Sequence, residues 1–249
     1  MPIEIADWND LDNVRNDLTG DYVLVNDLDS ETDGYAGIGD DFSPIGDTST
    51  EFTGTFDGDG NIIYDIEIKA GQQGVALFGG VDTSTAVIEN FVVSGTSLQT
   101  DDSEQYTAGI VGLLSDGSVQ NCVSNVDVSS NGNRVGCVIG EVNGGDVEDC
   151  YGLGDVDGGE AVGGFCGQRS GGTISESFSV GSVTGDDELG GLVGREFGGT
   201  VDNSYWDVER SGQDTSVGGT GLTTAEMQGS EAETNMVGFD FENVWETVE

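Results

Sequence analysis

Leu189-Gly-Gly-Leu-Val-Gly194 is the last of five occurrences of one phrase, after Gly74-Val-Ala-Leu-Phe-Gly79, Thr107-Ala-Gly-Ile-Val-Gly112, Val135-Gly-Cys-Val-Ile-Gly140 and Val162-Gly-Gly-Phe-Cys-Gly167. The closing glycines are 33, 28, 27 and 27 residues apart. A second phrase follows each, led by Ile88, Val119, Val147, Ile174 and Val201, at steps of 31, 28, 27 and 27. A period in the twenties with two short apolar runs per repeat is the signature of a solenoid, because a unit this small buries its apolar side only against its neighbours. Glycines suit the corners. No proline falls within residues 71–206, which leaves the backbone ladders unbroken. The expected fold is all-β, a parallel, right-handed β-helix with a short N-terminal capping helix and a C-terminal cap. It forms one domain: 1–70 cap and first coil, 71–206 repeats, 207–249 C-terminal cap.

The repeats align as ladders with a rung spacing of about 4.8 Å. Leu77, Ile110, Val138, Phe165 and Leu192 form one apolar column, and Phe78, Val111, Ile139, Cys166 and Val193 the next. Adjacent strand residues face opposite sides. The first column is therefore placed inward and the second outward. An outward apolar stripe needs a cover, from a terminal segment, a loop or a second copy. This predicts a homo-oligomer, most simply a trimer, with Phe78, Val111, Ile139 and Val193 in the interface. In the second phrase the columns starting at Glu89 and Asn90 are polar and read as an outward position and a corner. The column Phe91, Cys122, Cys150, Ser177, Ser204 is mostly small. A further strand is expected over 125–128, 154–156 and 181–183.

Outside the repeats, Ile5, Trp8, Leu11, Val14 and Leu18 recur at helical steps, predicting a helix over 4–18 stopped by Gly20. Strands are expected over 21–28 and 62–68, with an acidic loop from 30 to 41. The six-residue excess in the first interval points to a protruding loop over 99–106. Thr223-Thr-Ala-Glu226 is a capping-box start for a helix.

The 249 residues hold 48 carboxylates against 6 basic side chains and no histidine, a net charge of −42. Self-repulsion at that density strains a compact state. At molar salt the Debye length falls to about 3 Å and most of the repulsion is screened. The composition therefore points to near-saturated brine, and to a haloarchaeon or one of its viruses. The six basic residues are scattered, which excludes a phosphate-backbone reader of nucleic acid. No apolar run approaches the ~20 residues of a membrane span. The first residues show no basic region followed by an apolar run, so no secretory leader is expected.

Chemistry is sparse. Without histidine there is no Ser-His-Asp triad. Carboxylate pairs of the glycosidase kind arise by chance among 48 carboxylates. Arg169, Arg195 and Arg210, near successive coils, read as ion partners rather than a lyase base. Asp57-Gly-Asp59-Gly-Asn61 opens like a calcium loop, but Ile62 and Ile68 stand where the sixth-place glycine and twelfth-place glutamate belong, so it reads as a turn. Cys122 and Cys150 lie one coil apart, within reach of a disulfide. Buried thiols in a serine-sized position are the other reading, and Cys137 and Cys166 read the same way. No metal-ligand spacing and no cofactor motif appears. Trp8 and Trp245 are expected to plug the solenoid's ends, and Trp206 sits where the repeats stop. Tyr35 and Tyr106, in acidic loops, are the candidate binding residues, able to stack on sugar rings or a protein partner.

The phrase Gly-Gly-Leu-Val-Gly followed by Gly198-Gly-Thr-Val-Asp-Asn-Ser-Tyr205 resembles the GLUG-motif proteins. These are surface proteins and adhesin-like solenoids of the filamentous-haemagglutinin type. The Trp8 segment, Phe52-Thr-Gly-Thr-Phe-Asp-Gly58 and Gly221-Leu-Thr-Thr-Ala-Glu-Met227 extend the resemblance to nearly the whole chain. It implies a scaffold that meets other surfaces, without a reaction of its own. With no leader visible, the expected role is a non-enzymatic structural or attachment protein of a virion: a spike, turret or tail fibre touching other virion proteins and a host cell-surface glycoprotein or glycan. A secreted cell-surface adhesin is the alternative, and a polysaccharide-active β-helix enzyme the second.

Overall fold

The computed structural model describes residues 1–69, 71–95, 98–100, 105–245 and 247. Each coil passes through three parallel sheets. The glycine phrases supply the first sheet: Phe78–Val81, Val111–Leu114, Ile139–Val142, Cys166–Arg169 and Val193–Glu196. Val87–Ser94, Ser118–Asn125 and their split equivalents in later coils form the second and longest. Val128–Gly136, Val156–Gly163 and Val183–Gly190, preceded by Leu98–Thr100 and Gln105–Thr107, form the third. The structure is a parallel β-solenoid with short helices at its ends.

The register reproduces the alignment of repeats. Phe78 pairs with Val111, Val111 with Ile139, Ile139 with Cys166 and Cys166 with Val193. Ile88, Val119, Val147, Ile174 and Val201 form the matching ladder in the long sheet. That sheet extends to the N-terminus, where Ile3–Ile5, Asp21–Leu24 and Thr55–Asp57 add three rungs before Val87–Ser94. The third strand begins where the sequence reading ends it, at Val128, Val156 and Val183, and runs on into the next glycine phrase.

The corners have clear causes. Asn90, Asn121, Asp149, Glu176 and Asn203 all have positive φ, so the polar column is a corner in the left-handed region that Asn and Asp tolerate best. A second left-handed column, Tyr106, Arg134, Ala161 and Glu188, lies one or two residues before the strands of the third sheet end. The closing glycine of the next coil lies against it: a Cβ on Gly167 would come 2.4 Å from the Val135 nitrogen, and one on Gly194 2.5 Å from that of Val162. Only a residue without a side chain closes the phrase at that approach.

The small column is a hydrogen-bond relay. The Cys122 amide donates to Cys150 Sγ (3.4 Å), that of Cys150 to Ser177 Oγ (3.2 Å), and that of Ser177 to Ser204 Oγ (3.2 Å). Each side chain donates to the carbonyl two residues back, at 3.1 Å from Cys122 and Cys150 and 2.8 Å from Ser177 and Ser204. Sulfur and oxygen perform the same task, so Cys and Ser interchange there. All four cysteines are buried free thiols.

The N-terminal helix is shorter than the periodicity predicts. Ile5 belongs to the first strand, and Asp7 caps α1 (Trp8–Asn13) by accepting the Asp10 amide. Trp8, Leu11 and Val14 are buried and close that end. Trp8 meets Tyr35 and Phe42 edge-on and donates its indole N–H to the Asp29 carbonyl. At the other end lie α2 (Val208–Ser211), a 3-10 turn at Thr224–Met227 and α3 (Gly229–Asn235). Thr223 and Glu226 form the expected capping box, though it starts a 3-10 turn before α3.

Candidate functional site

The four residues expected to face a second copy do not face outward. Phe78, Val111, Ile139 and Val193 are each 0% exposed, as are Leu77, Ile110, Val138 and Leu192. Alternation fails because the two columns are not both in a strand. A two-residue bend occupies 109–110, 137–138, 164–165 and 191–192, and the strand opens one residue later. The turn swings both columns inward, so these side chains offer no surface to a partner.

The outward apolar ladder lies on the long sheet: Ile62, Val92, Val123, Tyr151, Phe178 and Tyr205 are successive rungs. Tyr151 and Phe178 stack at 4.9 Å, 4° from parallel. The chain's own tail covers the later rungs. Phe239 packs on Phe178 (6.2 Å) and Tyr205 (5.6 Å), and Trp245 on Tyr151 (5.5 Å), Phe178 (5.4 Å) and Phe239 (4.7 Å). The Tyr205 hydroxyl donates to the Val237 carbonyl (2.8 Å), and the Trp245 indole to Asp149 Oδ1 (3.1 Å). Trp245 is thus a flank cover and not an end plug. Trp206 takes the terminal position: it is 5% exposed within the main core and donates to the Gln213 carbonyl. Between tail and ladder lies a cavity of about 390 Å³, lined by Phe178, Met227, Met236, Phe239 and Trp245 among others.

The two candidate binding tyrosines have different settings. Tyr35 is half-buried against Trp8 and donates its hydroxyl to the Asp65 carbonyl (2.9 Å), so it is part of the N-terminal cap and not a free platform. Tyr106 lies in the strand Gln105–Thr107, with the Arg134 guanidinium over its ring at 4.9 Å. Of the loop expected over 99–106, residues 101–104 lie outside the described residues.

Around Arg134 the first sheet carries a polar network that sequence reasoning missed. Arg134 pairs with Glu141 (2.8 Å) and donates to Gln105. Ser170 donates to Glu141 Oε1 (2.6 Å), Gln168 to Ser170 (3.0 Å), and Arg195 to Gln168 (3.3 Å) while pairing with Glu160 and Glu188. Arg169 pairs with Glu196 (2.5 Å) and donates to the Gly198 carbonyl (2.6 Å). Arg169 and Arg195 stand in different columns, opposite Glu196 and Gln168. The network's signal was available in the column Leu113, Glu141, Gln168, Arg195, where hydrophobicity gives way to charge.

Several carboxylates are shifted upward. Burial raises the Glu51 pKa, with Asp82 and Asp47 adding repulsion and a Ser115 hydrogen bond opposing it. Burial also raises Glu148 and Asp149, with Glu176 repelling both and the Trp245 hydrogen bond partly offsetting the Asp149 shift. Asp57 accepts from the Asp59 amide and the Asn90 side chain, and Asn61 donates to the Leu24 and Gly58 carbonyls, so the aspartate-glycine run is a turn tied into neighbouring rungs. Among the described residues no group of three or more His, Cys, Asp or Glu is arranged to hold a metal. Nor, among the described residues, is any helix long and apolar enough to cross a membrane.

No protein-family model matches the chain, so the GLUG resemblance remains a reading of motifs. Halomucin from Haloquadratum walsbyi is 32% identical over 142 residues, 55% of this chain and 2% of that protein. The chain thus corresponds to a small fraction of the relative it matches. Among solved structures, a Bacteroides ovatus protein carrying the provisional name immunoglobulin A1 protease superposes with a TM-score of 0.66 at 20% identity, covering 94% of this chain and 88% of that one. At that identity the likeness is one of fold. The chain is a β-solenoid distantly similar to halomucin.

Proposed function

We propose that the chain is a module of a secreted or cell-surface protein of a halophilic microbe, a rigid acidic rod that meets other surfaces without catalysing a reaction. The observation that carries this reading is the similarity to halomucin of Haloquadratum walsbyi over more than half the chain. It favours the surface alternative over the virion role expected from the sequence, since neither comparison is to a virion protein. The matched segment is a small piece of a much longer relative, so the first residues here say nothing about export.

The physical chemistry is consistent with a rod in brine. Five of the six basic side chains are held in ion pairs within the fold, leaving most of the 48 carboxylates for the solvent. Contact with glycans or glycoproteins would fall to the first rung of the third sheet, where Tyr106 and Arg134, both part-buried, form a stacked pair. Antibody labelling of intact source cells, with and without lysis, tests the placement. Equal labelling of both supports surface display. Labelling only after lysis, or only of purified virus particles, overturns it.

A further inference from the structure

Arg210 is the one basic residue without a carboxylate within ion-pair distance among the described residues. Arg15, Lys69, Arg134, Arg169 and Arg195 each have one. In a chain with 48 carboxylates, a guanidinium with no ion pair among the described residues stands out. The nearest acids are already engaged. Asp207 is 1% exposed, and its Oδ1 accepts the amides of Glu209 (2.9 Å) and Arg210 (3.0 Å) while Oδ2 accepts the Thr224 hydroxyl (2.6 Å). Glu209 accepts the Thr224 amide (3.0 Å). The local hydrogen bonds that cap α2 and fix the 3-10 turn thus engage both carboxylates, and the exposed guanidinium makes no ion pair among the described residues.

Arg210 borders the cavity between tail and solenoid, about 390 Å³ in volume. That size falls within the ~300–1,000 Å³ typical of small-molecule sites, which are mostly apolar with a few placed polar groups. Phe178, Phe239 and Trp245 supply aromatic walls, and Met227 and Met236 supply adaptable ones. Apolar lining with an exposed guanidinium at its edge matches a ligand with an apolar body and an anionic head.

We propose that this cavity binds a small organic anion, an aromatic or branched aliphatic carboxylate or sulfonate, with its body among Phe178, Phe239 and Trp245 and its head on Arg210. Brine favours the arrangement in two ways. It screens the repulsion between an anion and the acidic surface, and salting-out ions strengthen burial of the apolar body. This inference is independent of where the protein is displayed.

The test uses the whole chain in about 3 M salt and two fluorescent probes of similar shape. 1-Anilinonaphthalene-8-sulfonate carries the anion, and N-phenyl-1-naphthylamine does not. The expected result is saturable binding of the sulfonate at one site. Arg210→Gln should weaken it by about threefold or more, the loss of a hydrogen-bonded charge contact that the salt partly screens, and leave the neutral probe unchanged. Arg210→Lys should restore part of the loss. Ala232→Leu, which fills the cavity beside α3, should weaken both probes with the circular dichroism unchanged. Arg210 is exposed, so its variants keep the question answerable if Ala232→Leu fails to fold. No saturable binding, equal sulfonate affinity in wild type and Arg210→Gln, equal weakening of both probes by Arg210→Gln, or full binding by a folded Ala232→Leu would each overturn the proposal.

Discussion

Trp245→Ala should detach the tail and leave the solenoid standing. The apolar contacts divide into two clusters. One fills the solenoid, and the other joins Tyr205, Ala232, Met236 and Phe239 on its flank, with Phe178 and Trp245 packed against them. Trp245 touches Tyr151, Phe178 and Phe239 and donates one hydrogen bond to Asp149. A fully buried Trp→Ala change costs about 3–5 kcal/mol. Trp245 is only half-buried, which lowers that figure, while the lost hydrogen bond adds about 1 kcal/mol. A net loss of about 3 kcal/mol raises the opening equilibrium of the tail by roughly a hundredfold. Hydrogen exchange read by mass spectrometry in molar salt is the assay, because local opening appears there segment by segment. Residues 229–245 should lose protection while 111–114, 139–142 and 166–169 keep theirs. Equal loss of protection in tail and solenoid would refute the separation of the two clusters.

Other outcomes follow from the same contacts. Leu192→Asp and Val193→Asp should both abolish folding by circular dichroism, since both side chains are fully buried and an isolated charge there has no partner; a folded Val193→Asp protein would restore an outward face to that column. For Glu51, Glu148 and Asp149 the folded pKa is raised, so the stability they contribute is full below the unfolded value of about 4 and is lost as pH rises through the folded one. Asp29, Glu226 and Asp240 are shifted down by hydrogen bonds, and theirs is present above about pH 4 and lost below it. The thermal midpoint should therefore rise as the pH falls from neutrality toward about 4 and turn down below it, and a monotonic decline from neutrality would contradict these shifts. Burial pushes the Cys166 thiol up to about 12 and raises those of Cys122 and Cys137. Ellman's reagent should label none of the four thiols until the protein unfolds, and fast labelling of the native protein would refute their burial.

The repeat phrases made the stacking, the registers and the Asn corners legible, because each depends on spacing and on residue types with a strong local preference. The inward turn of the Phe78 column was not legible. A two-residue bend ahead of the strand breaks strict alternation, and the left-handed residues beside it, Tyr106, Arg134, Ala161 and Glu188, carry no shared sequence signal. The rule that an outward apolar ladder requires a cover was sound. It applied to Tyr151, Phe178 and Tyr205, where the aromatic side chains are largest, and the cover was the tail. Trp245 was misplaced at the solenoid's end because distance from the chain's end says little about a tail that folds back along the flank. The arginine network was missed because its members belong to different coils, and only the register of the first sheet brings them together.

The most direct measurement is thermal unfolding of the whole chain across a salt series. A solenoid carrying a net charge of −42 is held compact by screening. Between about 0.1 and 1 M the screening length falls from about 10 to about 3 Å, so the midpoint should climb steeply across that range and flatten beyond it. A midpoint independent of salt from about 0.1 to 3 M would contradict a rod built for brine.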